Sequence, residues 1–254
     1  MRWNGKPNWL LHCLVCLLSL LGLTPVLHPE EDWPHLHMGQ QVYSLLRFDQ
    51  LEYRSNAGPD TFRWDTQGWI GGDYNKLWFK TEGDQELNSN SSGETEVQLL
   101  YSRLVSSFWD FQVGLRYDQL YGPSAAPWRL FSVLGFEGLA PYWFEVEPFL
   151  FISEEGDVSA RLTGTYDVLL TQRLIAQPRF ELNVAAQEVE RFGVGEGVND
   201  IELGLRLRYE IWREFAPYVG VSWLRRLGDT ADITRREGGV VDNLAFVVGI
   251  RLWF

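Results

Sequence analysis

The last eleven residues of the chain alternate strictly between two kinds of position. From Leu244 to Phe254 every even-numbered residue is Leu, Phe, Val or Ile, and the chain ends on an aromatic residue. A period of two places these side chains on one face of a β-strand. Such a segment is typical of the last strand of a bacterial outer-membrane β-barrel. On these residues alone, the final strand of a soluble sheet remains an alternative.

The first 27 residues have the outline of a secretory signal peptide. A basic start with Arg2 and Lys6 precedes an apolar run from Trp9 to Leu23, and a segment rich in Pro, His and Glu follows. We predict a signal peptide over 1–27 and a flexible periplasmic lead-in over 28–40. The run is shorter than the roughly 20 apolar residues of a spanning helix. No small-residue cleavage site is obvious, so an uncleaved anchor is the alternative.

Composition excludes several classes of function. Cys13 and Cys16 both lie in the apolar run, so the mature chain offers neither a disulfide nor a cysteine-based zinc site. The net charge of −12 argues against nucleic acid as a partner. The 12 Trp, 10 Tyr and 15 Phe suit the aromatic girdles of a membrane barrel.

Alternation of polarity recurs along the chain after residue 40. In 201–212 the odd positions are Ile, Leu or Tyr, whereas the even positions include Glu202, Arg206 and Arg208. Segments 111–118 and 174–186 alternate in the same way, and we find no sustained helical period. The predicted strands are 41–53, 61–70, 73–83, 94–106, 108–121, 129–138, 142–153, 157–170, 172–186, 199–212, 215–226 and 242–254.

These strands predict the fold class. Most run to ten or more residues, the length that a tilted strand needs to cross a bilayer, and their number is even. A soluble sandwich would turn its apolar faces inward and needs only shorter strands. We therefore predict an all-β fold: a transmembrane up-and-down antiparallel β-barrel of about twelve strands over 41–254. It would lie in the lipid of a Gram-negative outer membrane, with both termini in the periplasm.

The lead-in holds the residue types that bind copper best. His28, His35, His37 and Met38 combine imidazole and thioether groups, which suit copper in either oxidation state. The alternative is that histidines occur by chance in the segment after a signal peptide.

Acidic residues on the inward face of the strands are a second candidate set. They could guide cations through a pore, or they could pair with basic side chains in a closed interior. Hydrolysis by paired carboxylates is a further possibility, but a triad with histidine is excluded because all four His precede residue 38. We therefore expect no enzymatic activity. The lumen candidates are Asp110, Asp118, Glu145, Glu147, Asp167, Glu181, Glu202 and Glu210.

Several segments resemble the copper resistance protein B family of outer-membrane proteins. The matching stretches are QGWIGGD at 67–73, LAPYW at 139–143, LTQRL at 170–174, GLRLRYE at 204–210 and REFAPY at 213–218, together with the terminal Phe254. The resemblance implies copper ion binding, a role in copper resistance or homeostasis, and a periplasmic multicopper oxidase as partner. Relatives often carry a long Met- and His-rich segment before the barrel, which is reduced here to four residues.

We therefore expect an outer-membrane barrel that takes part in copper resistance, either binding copper ions or passing them across the membrane. The alternative is a general pore or a structural barrel without a metal role.

Overall fold

The computed structural model describes residues 41–87, 92–122 and 127–254, and most of them lie in β-strands. The strands are β1 Tyr43–Ser55, β2 Thr61–Gly71, β3 Asn75–Glu86, β4 Gly93–Ser106, β5 Trp109–Tyr121, β6 Trp128–Ala140, β7 Phe144–Ser153, β8 Val158–Thr165, β9 Val168–Leu169, β10 Leu174–Ala185, β11 Gly197–Tyr209, β12 Phe215–Arg226 and β13 Asp242–Trp253.

The strands form one closed antiparallel sheet. Neighbours in sequence pair with each other, and β1 pairs with β13, which closes the barrel. Strands β8 and β9 both pair with β10 and are separated by Tyr166 and Asp167, so the two form one interrupted strand. The described residues therefore form a barrel of twelve strands, which confirms the predicted fold.

The outer surface of the barrel is apolar. Leu205, Phe246 and Val248 face outward with 49%, 66% and 58% of their surface exposed, whereas Arg206 and Val247 face inward and are buried. The faces predicted for 201–212 and for the last strand are therefore confirmed. Among the described residues, no helix has both the length and the apolar character needed to cross a bilayer.

Both ends of the barrel sequence lie at the same end of the barrel. The backbone amides of Leu46 and Phe254 donate to each other's carbonyl oxygens at 3.0 and 2.9 Å. The two longest connections, 186–196 and 227–241, lie at the opposite end. Outer-membrane barrels have short periplasmic turns and longer outer loops, so the end that carries Phe254 is the periplasmic one.

The connection 227–241 contains a helix, which the sequence did not predict. Helix α1 spans Gly228–Arg236, and a single 3-10 turn spans Glu190–Phe192 in the other long loop. The sequence analysis found no sustained helical period, because a helix of nine residues with few apolar side chains is too short to show one. The predicted signal peptide and lead-in lie outside the described residues and stay predictions.

The lipid-facing surface gives a direct test of the fold. Replacing Leu205, near the middle of β11, by arginine puts a charge into hydrocarbon and should lower the free energy of unfolding by about 2–4 kcal/mol. The matched change Val198→Arg, at the outer end of the same strand, should cost about 0–1 kcal/mol. Denaturant unfolding in lipid vesicles measures both values, and equal costs would contradict the assigned depth.

Candidate functional site

The interior of the barrel is filled by ion pairs, and the most buried pair centres on Glu52. This carboxylate is completely buried and accepts two hydrogen bonds from Arg206, at 2.9 and 3.0 Å. Arg54 donates to Glu52 at 2.7 Å and to Glu202 at 2.9 Å, and the Tyr218 hydroxyl donates to Glu52 at 2.9 Å. One carboxylate thus joins β1 to β11 and β12, which are distant from it in sequence.

A second network crosses the barrel from β8. Arg161 binds Glu82 and also contacts Glu96 at 2.9 Å, although these two carboxylates belong to strands on the far side of the sheet order. Arg116 joins the same network through Glu96 at 2.8 Å and Asp118 at 2.7 Å. Side chains therefore reach across the lumen and bind the opposite wall.

The periplasmic half of the interior follows the same pattern with lysine. Lys80 lies between Glu137 at 3.0 Å and Glu147 at 2.8 Å. Lys76 pairs with Asp110 at 2.8 Å. Charges that are removed from water in this way are stabilised only if each finds an opposite partner.

One wall of the interior is apolar instead of charged. Its buried side chains form a cluster on β3, β4, β6 and β7: Trp78, Leu100, Phe131, Val133, Phe149 and Phe151. Cationic groups lie on these rings, with Arg116 at 4.4 Å from the centre of Phe151 and Lys80 at 5.0 Å from that of Phe149. These rings stabilise, through cation–π contacts, the same cationic side chains that pair with the lumenal carboxylates.

The loop 186–196 folds across the outer mouth of the barrel. Phe192 stacks on the guanidinium of Arg129, an inward-facing residue of β6, at 3.7 Å. Arg191 hydrogen-bonds to Glu155 in the loop before β8, and this contact lowers the pKa of that carboxyl. The loop thus extends from β10 over the lumen to the wall formed by β6 to β8.

Helix α1 lies beside this loop at the same end of the barrel. The Thr230 hydroxyl accepts from the backbone amide of Gly195 at 2.8 Å, and Thr234 accepts from Arg226 at 3.1 Å. A Cβ at Gly195 would meet the Thr230 backbone nitrogen at 2.3 Å, so only glycine permits this approach. The two long loops therefore pack against each other at the outer end of the barrel.

The eight lumen candidates behave almost uniformly. Seven of them lie within 4.0 Å of a cationic side chain, and the eighth, Glu145, accepts a hydrogen bond from Thr165 at 3.2 Å instead. This geometry agrees with the alternative given in the sequence analysis, in which the carboxylates pair with basic side chains inside the barrel. A copper role for any of them stays a prediction. The seven pairs are Asp110–Lys76, Asp118–Arg116, Glu147–Lys80, Asp167–Arg208, Glu181–Arg179, Glu202–Arg54 and Glu210–Arg208.

The barrel offers copper only oxygen ligands. From residue 39 to the C-terminus the sequence contains no His, Cys or Met. Within the part of the chain that the structure describes, no group of three His, Cys, Asp or Glu side chains could hold a metal ion. Carboxylates already bound to arginine or lysine are poor ligands for copper. The interior donor set therefore does not fit a copper centre, and His28, His35, His37 and Met38 lie outside the described residues.

The sequence analysis did not identify several residues that organise this interior. Glu52 and Arg54 on β1 and Glu96, Arg129 and Glu137 on β4 and β6 were not among the candidates, although each faces the lumen. Glu52 and Arg54 do alternate with Leu51 and Tyr53. A bulge between Phe48 and Gln50 breaks the period of β1 and hid this signal.

An apolar outer face, a charged and paired interior and an even number of antiparallel strands define an outer-membrane β-barrel. The KdgM porin has a similar fold, with a TM-score of 0.50 and 14% identity over 83% of this chain and 99% of the porin. The model of the family described as copper resistance protein B precursor (CopB) matches residues 42–254, and the chain belongs to this family.

Two relatives agree with this assignment. The chain is 46% identical to copper resistance protein B of Escherichia coli over 213 residues, which are 83% of this chain and 69% of the relative. It is 41% identical to the copper resistance protein B homolog of Pseudomonas syringae pv. tomato (strain ATCC BAA-871 / DC3000), over 86% of this chain and 74% of the relative. The resemblance drawn from the sequence motifs is thereby confirmed.

The Glu52 cluster makes a clear prediction about stability. Glu52→Gln removes one negative charge and leaves Arg54 and Arg206 facing each other, so we expect a loss of about 3–5 kcal/mol. The change Glu155→Gln removes an exposed partner of Arg191 and should alter stability little. Denaturant unfolding of both variants provides the comparison, and the interior network would be unimportant for stability if the two losses were alike.

Proposed function

We propose that this protein contributes to copper resistance at the outer membrane by binding copper through residues 28–38, next to the periplasmic end of the barrel. The role is non-enzymatic: the barrel anchors and positions a metal-binding segment. In the sequence, residues 28–38 come shortly before β1, the strand that begins at the end of the barrel that carries Phe254.

One observation supports this proposal above all others: the uneven distribution of copper ligands. Outside the predicted signal peptide, every imidazole and every thioether of the chain lies in 28–38. Soft and borderline ligands hold copper far better than carboxylates do. The 213 residues of the barrel match the copper resistance family but supply no such ligand.

The filled interior is a second support. Ion pairs cross the lumen between opposite walls, and the loop 186–196 extends over its outer end to β6 and packs against α1. A copper ion that bound to most of the interior carboxylates would have to displace arginine or lysine from them. Binding outside the barrel avoids this cost, and the family resemblance offers a periplasmic multicopper oxidase as the protein that would receive or supply the ion.

A general pore or a structural barrel is the second candidate. The likeness to the KdgM porin favours it, although at 14% identity this likeness concerns the fold alone. The two candidates differ in whether copper ligands matter for function and in whether ions flow through the lumen.

Copper tolerance distinguishes the candidates in cells. A deletion strain complemented with the wild-type chain should regain tolerance, whereas the His35→Ala, His37→Ala, Met38→Ala triple variant should not. Growth at increasing copper concentration is the measurement, with equal amounts of folded barrel in the outer membrane as the control. Full rescue by the triple variant would assign the function to the barrel, and an unaltered deletion strain would remove the copper role.

Conductance tests the pore candidate separately. Because ion pairs cross the lumen, the wild-type barrel in a planar bilayer should conduct far less than an open porin, with or without copper. Shortening the connection 227–241 to remove α1 should leave conductance low, because the pairs within the strands remain. A large, stable conductance of the wild-type protein would favour the pore.

A further inference from the structure

A row of carboxylates runs across the inner face of four neighbouring strands. Asp65 lies directly opposite Glu82, Glu82 lies opposite Glu96, and Glu96 lies opposite Asp118. Side chains in such pairs approach to about 5 Å, and like charges there destabilise a sheet. The row therefore requires cations close to each of its members.

Three members of the row have such cations. Arg161 binds Glu82 and lies 2.9 Å from Glu96. Arg116 lies 2.8 Å from Glu96 and 2.7 Å from Asp118. Each of these three carboxylates thus has an arginine in direct contact.

Asp65 is the exception. Its one ion-pair contact among the described residues is with Arg179 Nη2 at 4.0 Å, and the same nitrogen lies 2.8 Å from Glu181. Gln50, which lies opposite Asp65 on β1, is only 3% exposed, and its Oε1 accepts no hydrogen bond from any described residue. Asp65, whose negative charge has no close cation, therefore lies next to the Gln50 amide oxygen, which accepts no hydrogen bond from a described residue.

Both residues line an interior cavity of about 80 Å³. Its wall carries six carboxylates, Asp65 among them, and four cationic side chains. Asp49 and Glu96 of this wall also bind Arg251 and Arg116, which lie outside it, so Asp65 is one of only two wall carboxylates without a close cation among the described residues. A buried water needs roughly 10–15 Å³ of such space, so the cavity has room for about six waters. The volume therefore matches one hydrated cation, and Asp65 supplies a poorly compensated negative charge beside it.

We propose that this cavity binds a hydrated divalent cation of the magnesium class, with Asp65 as its charged partner and Gln50 as an acceptor for its water. Magnesium retains several waters and is commonly held by only one or two carboxylates. A site of this kind therefore does not need three converging acidic side chains, and the described residues contain no such group. This site is made of oxygen atoms alone and does not depend on the copper proposal.

Manganese(II) serves as the probe, because it prefers the same oxygen ligands and its free aquo ion gives a strong electron paramagnetic resonance signal. The full chain, folded in nonionic detergent and stripped with a chelator, should remove one Mn²⁺ per molecule from that signal. Asp65→Asn should weaken this binding by about 10–100-fold, the usual effect of losing a positioning carboxylate. Asp242→Asn removes the same charge from an exposed outer residue and should leave binding unaltered.

The proposal is overturned if the wild-type barrel binds no Mn²⁺, or if Asp65→Asn and Asp242→Asn bind it equally well. Should Asp65→Asn fail to fold, Gln50→Leu takes its place: weaker binding supports the site, and unaltered binding overturns it. The variant lacking His35, His37 and Met38 should bind Mn²⁺ as the wild type does. Failure of the cation site and failure of the copper proposal are thereby distinguishable.

Discussion

The structure depends on one electrostatic constraint: charges on the inner face of a narrow barrel are removed from water and must be neutralised by other side chains. An uncompensated ion in such a place costs several kcal/mol, so the arrangement is stable only when nearly every carboxylate has a cation. Glu52, bound by Arg54 and Arg206, is the most complete example. The same contacts join strands that are distant in sequence and so help to hold the barrel closed.

This constraint also limits what the lumen can do. A carboxylate held by arginine is not free to bind a metal ion, and arginines that cross the interior leave little open path. The chain places its imidazole and thioether groups before the barrel and none within it. In the proposed function, anchoring and copper binding therefore belong to different parts of the sequence, and the proposed magnesium-class site at Asp65 belongs to the electrostatics of the barrel.

The faces of strands such as β11 and β13 were predictable because one face is apolar and the other is charged or small. The inward face of a strand was not predictable where this contrast is lost. On β6, Phe131 and Val133 face inward, so both faces are apolar and the alternation is weak. On β1, the bulge at Phe48 shifts the period and hid Glu52.

The partners of the interior charges could not be predicted at all. Glu52 and Arg206 are 154 positions apart, and their contact follows from closure of the barrel and from its register, which no local pattern encodes. Helix α1 was missed because it is short and two of its four buried side chains, Thr230 and Thr234, are polar. The proposed copper ligands are the reverse case: they are evident in the sequence and lie outside the described residues.

The central claim is that copper binds outside the barrel, through imidazole and thioether groups. X-ray absorption spectroscopy of the copper-loaded full chain measures the ligand atoms directly. We predict nitrogen and sulfur scatterers in the wild type and their loss when His35, His37 and Met38 are replaced by alanine. An oxygen-only shell that persists in that variant would contradict the claim and would place copper among the carboxylates of the lumen.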